Sequence, residues 1–202
     1  MMNDILGTAL TYLENNDRLI YSYRGNTFLQ GGELYDDEHD GRGRIDCSTL
    51  VHLALQGIPY ERSPYASGKT DGFFSGECRW QADGKAMLSD VFAERGERAL
   101  DIRRAYGLAK YCRETGLELA ENEQLQPGDL VFFRAPESVL EEYYKYGAYL
   151  GISHVGIAAD DTELMINATG SSDHERNAAG HPVKLTRIKD KGLLLMKARI
   201  MR

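Results

Sequence analysis

The chain has 202 residues, enough for one domain with its own core. It is 42% hydrophobic and 27% charged, with 21 glycines and 5 prolines, an ordinary globular composition that excludes disordered and fibrous classes. A net charge of −7 without any dense Lys/Arg run argues against nucleic acid and anionic membrane as partners.

The opening stretch is interrupted by Asp4, Glu14 and Asp17 and has neither the cationic start nor the apolar run of a signal peptide. No later stretch approaches the ~20 apolar residues of a membrane helix. The expectation is a cytoplasmic protein as written, with a phage-borne or otherwise secreted one as the alternative. Cys47, Cys78 and Cys112 cannot all pair with one another, and none has the CxxC spacing of a zinc or redox site. No metal and no cofactor is expected.

In chain order, Asn3 is placed to cap a first helix with Ile5, Leu6, Ala9, Leu10 and Leu13 on one stripe, ending near Asn15 and Asn16. A polar loop from about Gly25 to Arg44 follows, and its acidic run Asp36 to Asp40 reads as solvated. Asp46 looks like the N-cap of a second helix, Cys47 to Gln56, stopped by Gly57 and Pro59. Residues 60 to 97 read as a long excursion with one short helix, and 98 to 115 as a further helix ended by Gly116. Beyond the turn at Pro127-Gly128-Asp129, strands are expected at Leu130 to Phe133, His154 to Ala159, Glu163 to Thr169, Val183 to Ile188 and Leu193 to Met201. Helices first and strands afterwards predict an α+β fold with an antiparallel sheet, one domain over 1–202.

A thiol is a good nucleophile only as thiolate, and a helix start favours negative charge. Cys47 stands there, so a lowered pKa is expected for it, whereas Cys112 falls inside a helix and Cys78 in a loop. Among the histidines, His52 lies about 140° around the helix from Cys47, and His39, His174 and His181 lie in polar loops. His154 begins a strand with Gly156 and Ala158 on its own face. If Asp160-Asp161 forms a two-residue hairpin loop, Ala159 pairs with Thr162 and His154 falls opposite Asn167. Asparagine beside histidine can fix the ring tautomer and leave the other nitrogen for a thiol.

Four segments in order, Asp46-Cys47-Ser48-Thr49-Leu50-Val51, Leu125 to Phe133, Ser153-His154-Val155-Gly156-Ile157 and Met165-Ile166-Asn167-Ala168, resemble the signature blocks of NlpC/P60 domains. Tyr21-Ser22-Tyr23-Arg24-Gly25 is similar to that family's tyrosine-containing segment. The pattern departs from the family at Thr49 and Arg24, where glycine is usual, and at Asn167, where histidine is usual. The segments 60–97 and 135–150 are longer than the family's minimal connections and read as insertions that shape the substrate groove.

The resemblance implies a papain-like fold, with the nucleophile helix packed on the sheet, and a cysteine peptidase acting on a peptidoglycan peptide or muropeptide. The bond implied lies between D-γ-glutamate and a diamino acid. Cys47 would be nucleophile, His154 base and Asn167 its orienting partner, while Tyr21, Asp46 and Ser48 would bind a free α-amine of the substrate. The alternatives are an amidase or acyltransferase of the same fold, or a non-catalytic wall-binding or phage structural module.

Overall fold

The computed structural model describes residues 4–22, 35–36, 41–67, 104–170 and 181–200. Asn3, Cys78, His39, His174, most of the acidic run and residues 68–103 lie outside them.

The first helix, α1 (Ile5–Glu14), is capped by Asp4, whose Oδ1 accepts from the Gly7 N–H at 2.8 Å, rather than by Asn3. Ile5, Ala9 and Tyr12 form its buried face, and Leu10, expected inside, is 39% exposed. After a 3-10 turn come β1 (Leu19–Tyr21), β2 (Tyr35–Asp36) and β3 (Arg42–Ile45). These make a small sheet, β1 parallel and β2 antiparallel to β3, and β2 with most of β3 falls in the stretch Gly25 to Arg44 that the sequence reads as loop. Such short strands carry too few residues for alternation to register.

Helix α2 (Cys47–Leu55) has every residue buried, because α1 packs on it from one side and the main sheet from the other. Asp46 is its N-cap, with Oδ1 accepting from the Thr49 N–H at 2.7 Å, and Gly57 leaves it at φ 64°. A short helix α3 (Pro64–Ser67) follows. Helix α4 (Ala105–Glu114) begins later than expected, since Arg104 is extended, and it buries Ala105, Leu108, Ala109 and Cys112.

The main sheet has strands β4 (Leu130–Arg134), β5 (Ile152–Ala158), β6 (Leu164–Ala168), β7 (Val183–Arg187) and β8 (Leu194–Ala198), ordered β7-β6-β5-β4-β8 and antiparallel throughout, as expected. The sequence reading missed α5 (Glu137–Lys145), between β4 and β5, although Val139, Leu140 and Tyr143 share one of its faces; Leu140 is its only buried residue. Alternation divides the sheet's faces. Leu130, Phe132, Val155, Ile157, Ile166, Ala168, Met196 and Ala198 join the helices in the larger core. Val131, Phe133, Ala158 and Met165 build a smaller cluster with Leu125 and Ile188 on the other face.

The turn before β4 is fastened to the chain's end. Asp129, 3% exposed, takes two bonds from Arg199, Nε at 2.9 Å and Nη2 at 2.8 Å, and a third from the Gln126 N–H at 2.8 Å. Gly128, at φ 95°, supplies the backbone conformation that side-chain-bearing residues avoid. Among the described residues no helix is long and apolar enough to cross a membrane.

Candidate active site

Cys47, at the first position of α2, lines a cavity of about 440 Å³ together with Tyr21, Asp46, Ser48, Arg104, Ala105, Tyr106, Tyr143, Tyr146 and Ser153. Four of the residues singled out from sequence, Tyr21, Asp46, Cys47 and Ser48, therefore share one cavity. Tyr143 and Tyr146 come from the 135–150 segment. Tyr21 also packs on Gly170, where an added Cβ would come 3.0 Å from its ring. Asp46 Oδ1 accepts from the Ser48 hydroxyl at 2.8 Å as well as from the Thr49 N–H, and burial raises its pKa against those two bonds.

His154 and Asn167 meet directly, His154 Nε2 to Asn167 Oδ1 at 2.9 Å. The register differs from the expected one. Ile157 pairs with Ile166 and Ala158 with Met165, so Gly156, not His154, is opposite Asn167, and His154 is its diagonal neighbour on the same face. The cause is Asp160, whose Oδ1 accepts the N–H groups of Thr162, Glu163 and Leu164 at 3.0, 2.7 and 2.9 Å. That side-chain cap holds Asp160 to Glu163 as the loop and closes the ladder at Ala159 N–H to Leu164 O. A two-residue change of register keeps every side chain on its face, so the pair survives it. Gly156 is what lets Asn167 cross. A Cβ there would lie 2.7 Å from Met165 Sδ and 3.4 Å from Asn167 Cβ.

The pair sits on the face away from the helices, contrary to the expectation that it would meet the start of α2. Val155 and Ile157 occupy the helix-facing positions of β5, which sends His154 to the opposite side, with its ring 6.1 Å from that of Phe133. Cys47 approaches through the strand edge. The β5–β6 ladder stops at Ile157↔Ile166, so the Val155 N–H, which by alternation points towards β6, is left to meet the Cys47 sulfur. A β-bulge contributes here too. Phe133 pairs with His154 but Arg134 with Ile152, which leaves Ser153 unpaired, and Ser153 lines the cavity. Among the described residues, hydrogen bonds join His154 to Asn167 but not to Cys47.

The Asn167 amide is oriented by its other end, Nδ2 donating to Thr186 Oγ1 at 3.0 Å and to Lys184 O at 3.4 Å. Its Oδ1 must then accept, so His154 Nε2 carries the proton and Nδ1 is the nitrogen able to take one. Thr186 is a participant that the sequence reading did not foresee. Burial pushes the His154 imidazole down to about 3, with the Lys191 ammonium adding to that and the Asn167 bond opposing it. Burial, and then the charge of Asp46, push the Cys47 thiol up to about 12, against the Val155 N–H, Lys191 and the Ser48 N–H. The lowered thiol pKa expected from the helix start is overturned, because a desolvated sulfur loses more than the first turn's N–H groups return. Both shifts favour the uncharged forms, thiol and imidazole.

Cys112 is fully buried in α4, as a small hydrophobe, and His181 is exposed. Comparisons with protein-family models, with curated proteins and with solved structures find no match to this chain.

Proposed function

We propose that this chain is a cysteine hydrolase of the NlpC/P60 type, with a papain-like arrangement of helix and sheet, that cleaves an amide bond in peptidoglycan peptides. One observation carries the reading: Tyr21 and the distant tripeptide Asp46-Cys47-Ser48, both marked out by the resemblance, line a single cavity. The polar line His154–Asn167–Thr186, whose residues are not in the cavity lining, supports the same reading by leaving His154 Nδ1 able to take a proton.

In this mechanism Cys47 attacks the carbonyl carbon as its proton passes to His154 Nδ1, so no charged pair has to exist beforehand. Asn167 holds Nε2 and steadies the imidazolium that forms. The Val155 and Ser48 N–H groups favour negative charge on sulfur. His154 then returns the proton to the leaving amine, a thioacyl-enzyme remains, and water attacking it regenerates the thiol. Tyr21, Asp46 and Ser48 hold the substrate's free α-amine, and the bond cut lies between D-γ-glutamate and a diamino acid.

A second reading, a module that binds wall peptides without cutting them, is favoured by the lack of a hydrogen bond between Cys47 and His154 and by the shifts that favour their uncharged forms. Mass spectrometry of purified peptidoglycan and short muropeptides after incubation with the protein separates the two. New amine termini with wild type and none with Cys47→Ser support the hydrolase, whereas saturable peptide binding with no product rejects it.

A further inference from the structure

Lys191 follows the 3-10 turn Ile188–Asp190, whose Ile188 is buried in the small cluster with Phe133 and Met165, on the face that carries His154. Its Nζ donates to Thr169 Oγ1 at 2.7 Å. Continuing the β5–β6 register past Ile157↔Ile166 brings Thr169 level with His154, so the ammonium is tethered where the two strands part and Cys47 enters. Its charge acts on both Cys47 and His154.

The ammonium is partly buried, yet among the described residues it makes no ion pair with a carboxylate. The groups whose charge bears on it are a second cation, Lys184, and the Cys47 sulfur when it ionises. Arg104, the cation on the cavity wall, is in the field of Asp46, so that charge already has an opposite beside it. A desolvated ammonium without an acid is unfavourable unless something else brings the counter-charge. In a chain of net charge −7, acidic side chains were plentiful.

We propose that Lys191 is an anion-docking residue, holding a carboxylate on the acyl side of the substrate next to Cys47. This rests on the reading of Cys47 as the nucleophile. The γ-glutamyl donor of that reading carries such a carboxylate, and the new element is Lys191 as the residue that selects it.

Two alkylating reagents test it without any knowledge of the natural substrate. Iodoacetate carries a carboxylate, and iodoacetamide is its neutral counterpart. Both need the same thiolate, so altered packing or thiol acidity scales the two rates together and leaves their ratio unchanged. The rates are measured at Cys47 by peptide mapping in the full chain, at one pH and low salt, with N-acetylcysteine as the free-thiol reference. Wild type should favour iodoacetate over iodoacetamide relative to that reference. Lys191→Met should lower the ratio about tenfold, and Lys191→Arg should keep most of it. A wild-type ratio equal to that of N-acetylcysteine, or a ratio untouched by Lys191→Met, overturns the docking role and leaves the proposed hydrolase standing. A Cys47 silent to both reagents overturns the docking role, because no carboxylate is then drawn to the sulfur, whereas the hydrolase itself falls only if peptidoglycan peptides yield no product.

Discussion

Holding His154 neutral has a consequence for stability that can be worked through with its sign. The folded-state pKa is about 3, below the 6.5 of a free imidazole. Between those two values the unfolded chain binds a proton that the folded chain refuses, so stability rises with pH across this window and is lost as pH falls. The slope is roughly 1.4 kcal/mol per pH unit, which gives a loss on the order of 3 kcal/mol by pH 4.5. Above pH 6.5 the group contributes no pH dependence. Other groups titrate in acid as well, so the measurement is a difference between wild type and His154→Gln, whose amide can still donate to Asn167 Oδ1. Urea unfolding at intervals from pH 4.5 to 7.5 should show a fixed offset between the two near neutrality. Below pH 6 the variant should gain on wild type by roughly 1.4 kcal/mol per unit. Parallel curves would refute the argument that burial keeps the ring neutral. A slope of opposite sign would mean that the folded ring is protonated, as in a thiolate–imidazolium pair.

Two further substitutions test the supports of the site. Asp129→Asn replaces one carboxylate oxygen of the bidentate clamp on Arg199 by an amide and should lower stability by about 1.5–3 kcal/mol, read as a lower urea midpoint at unchanged slope. An unchanged midpoint would mean that the clamp adds nothing to the fold. Gly156→Ala brings a Cβ within 2.7 Å of Met165 Sδ and 3.3 Å of Ile166 O, and should cost about 1–3 kcal/mol while shifting the imidazole resonances of His154. A variant as stable as wild type with unmoved resonances would show that the crossing of Asn167 does not depend on the glycine.

What the sequence made legible was local or periodic. The cap at Asp46 and the apolar run behind it define α2 within ten residues, and alternation along β5 and β6 puts His154 and Asn167 on one face. Their register was misread because it is governed by the Asp160 carboxylate reaching three backbone N–H groups, a contact that strand counting ignores. Which face they share with the helices was misread as well, since Val155 and Ile157 take the core-facing positions of β5. The thiol acidity went wrong for a different reason. Position at a helix start can be read from sequence, but the near-complete burial of Cys47, 7% exposed, arises from elements distant in the chain. The same holds for the aromatic wall of Tyr143 and Tyr146, the bulge at Ser153, the amide-orienting Thr186, and Lys191, which reaches the site from beyond β7.

The parting of β5 and β6 around Cys47 also bears on when the site can exist. The thiol belongs to α2, made early in synthesis, whereas the imidazole, its amide partner and the ammonium on Thr169 all lie on or beyond β5. Strand β4 is hydrogen-bonded on one side to β5 and on the other to β8, and the turn that opens it is clamped by Arg199, which follows β8. A nascent chain therefore carries the sulfur, with Tyr21, Asp46 and Ser48, before His154, Asn167 and Lys191 have been made. The order of synthesis thus delays the grouping of thiol, imidazole and ammonium until the sheet has formed.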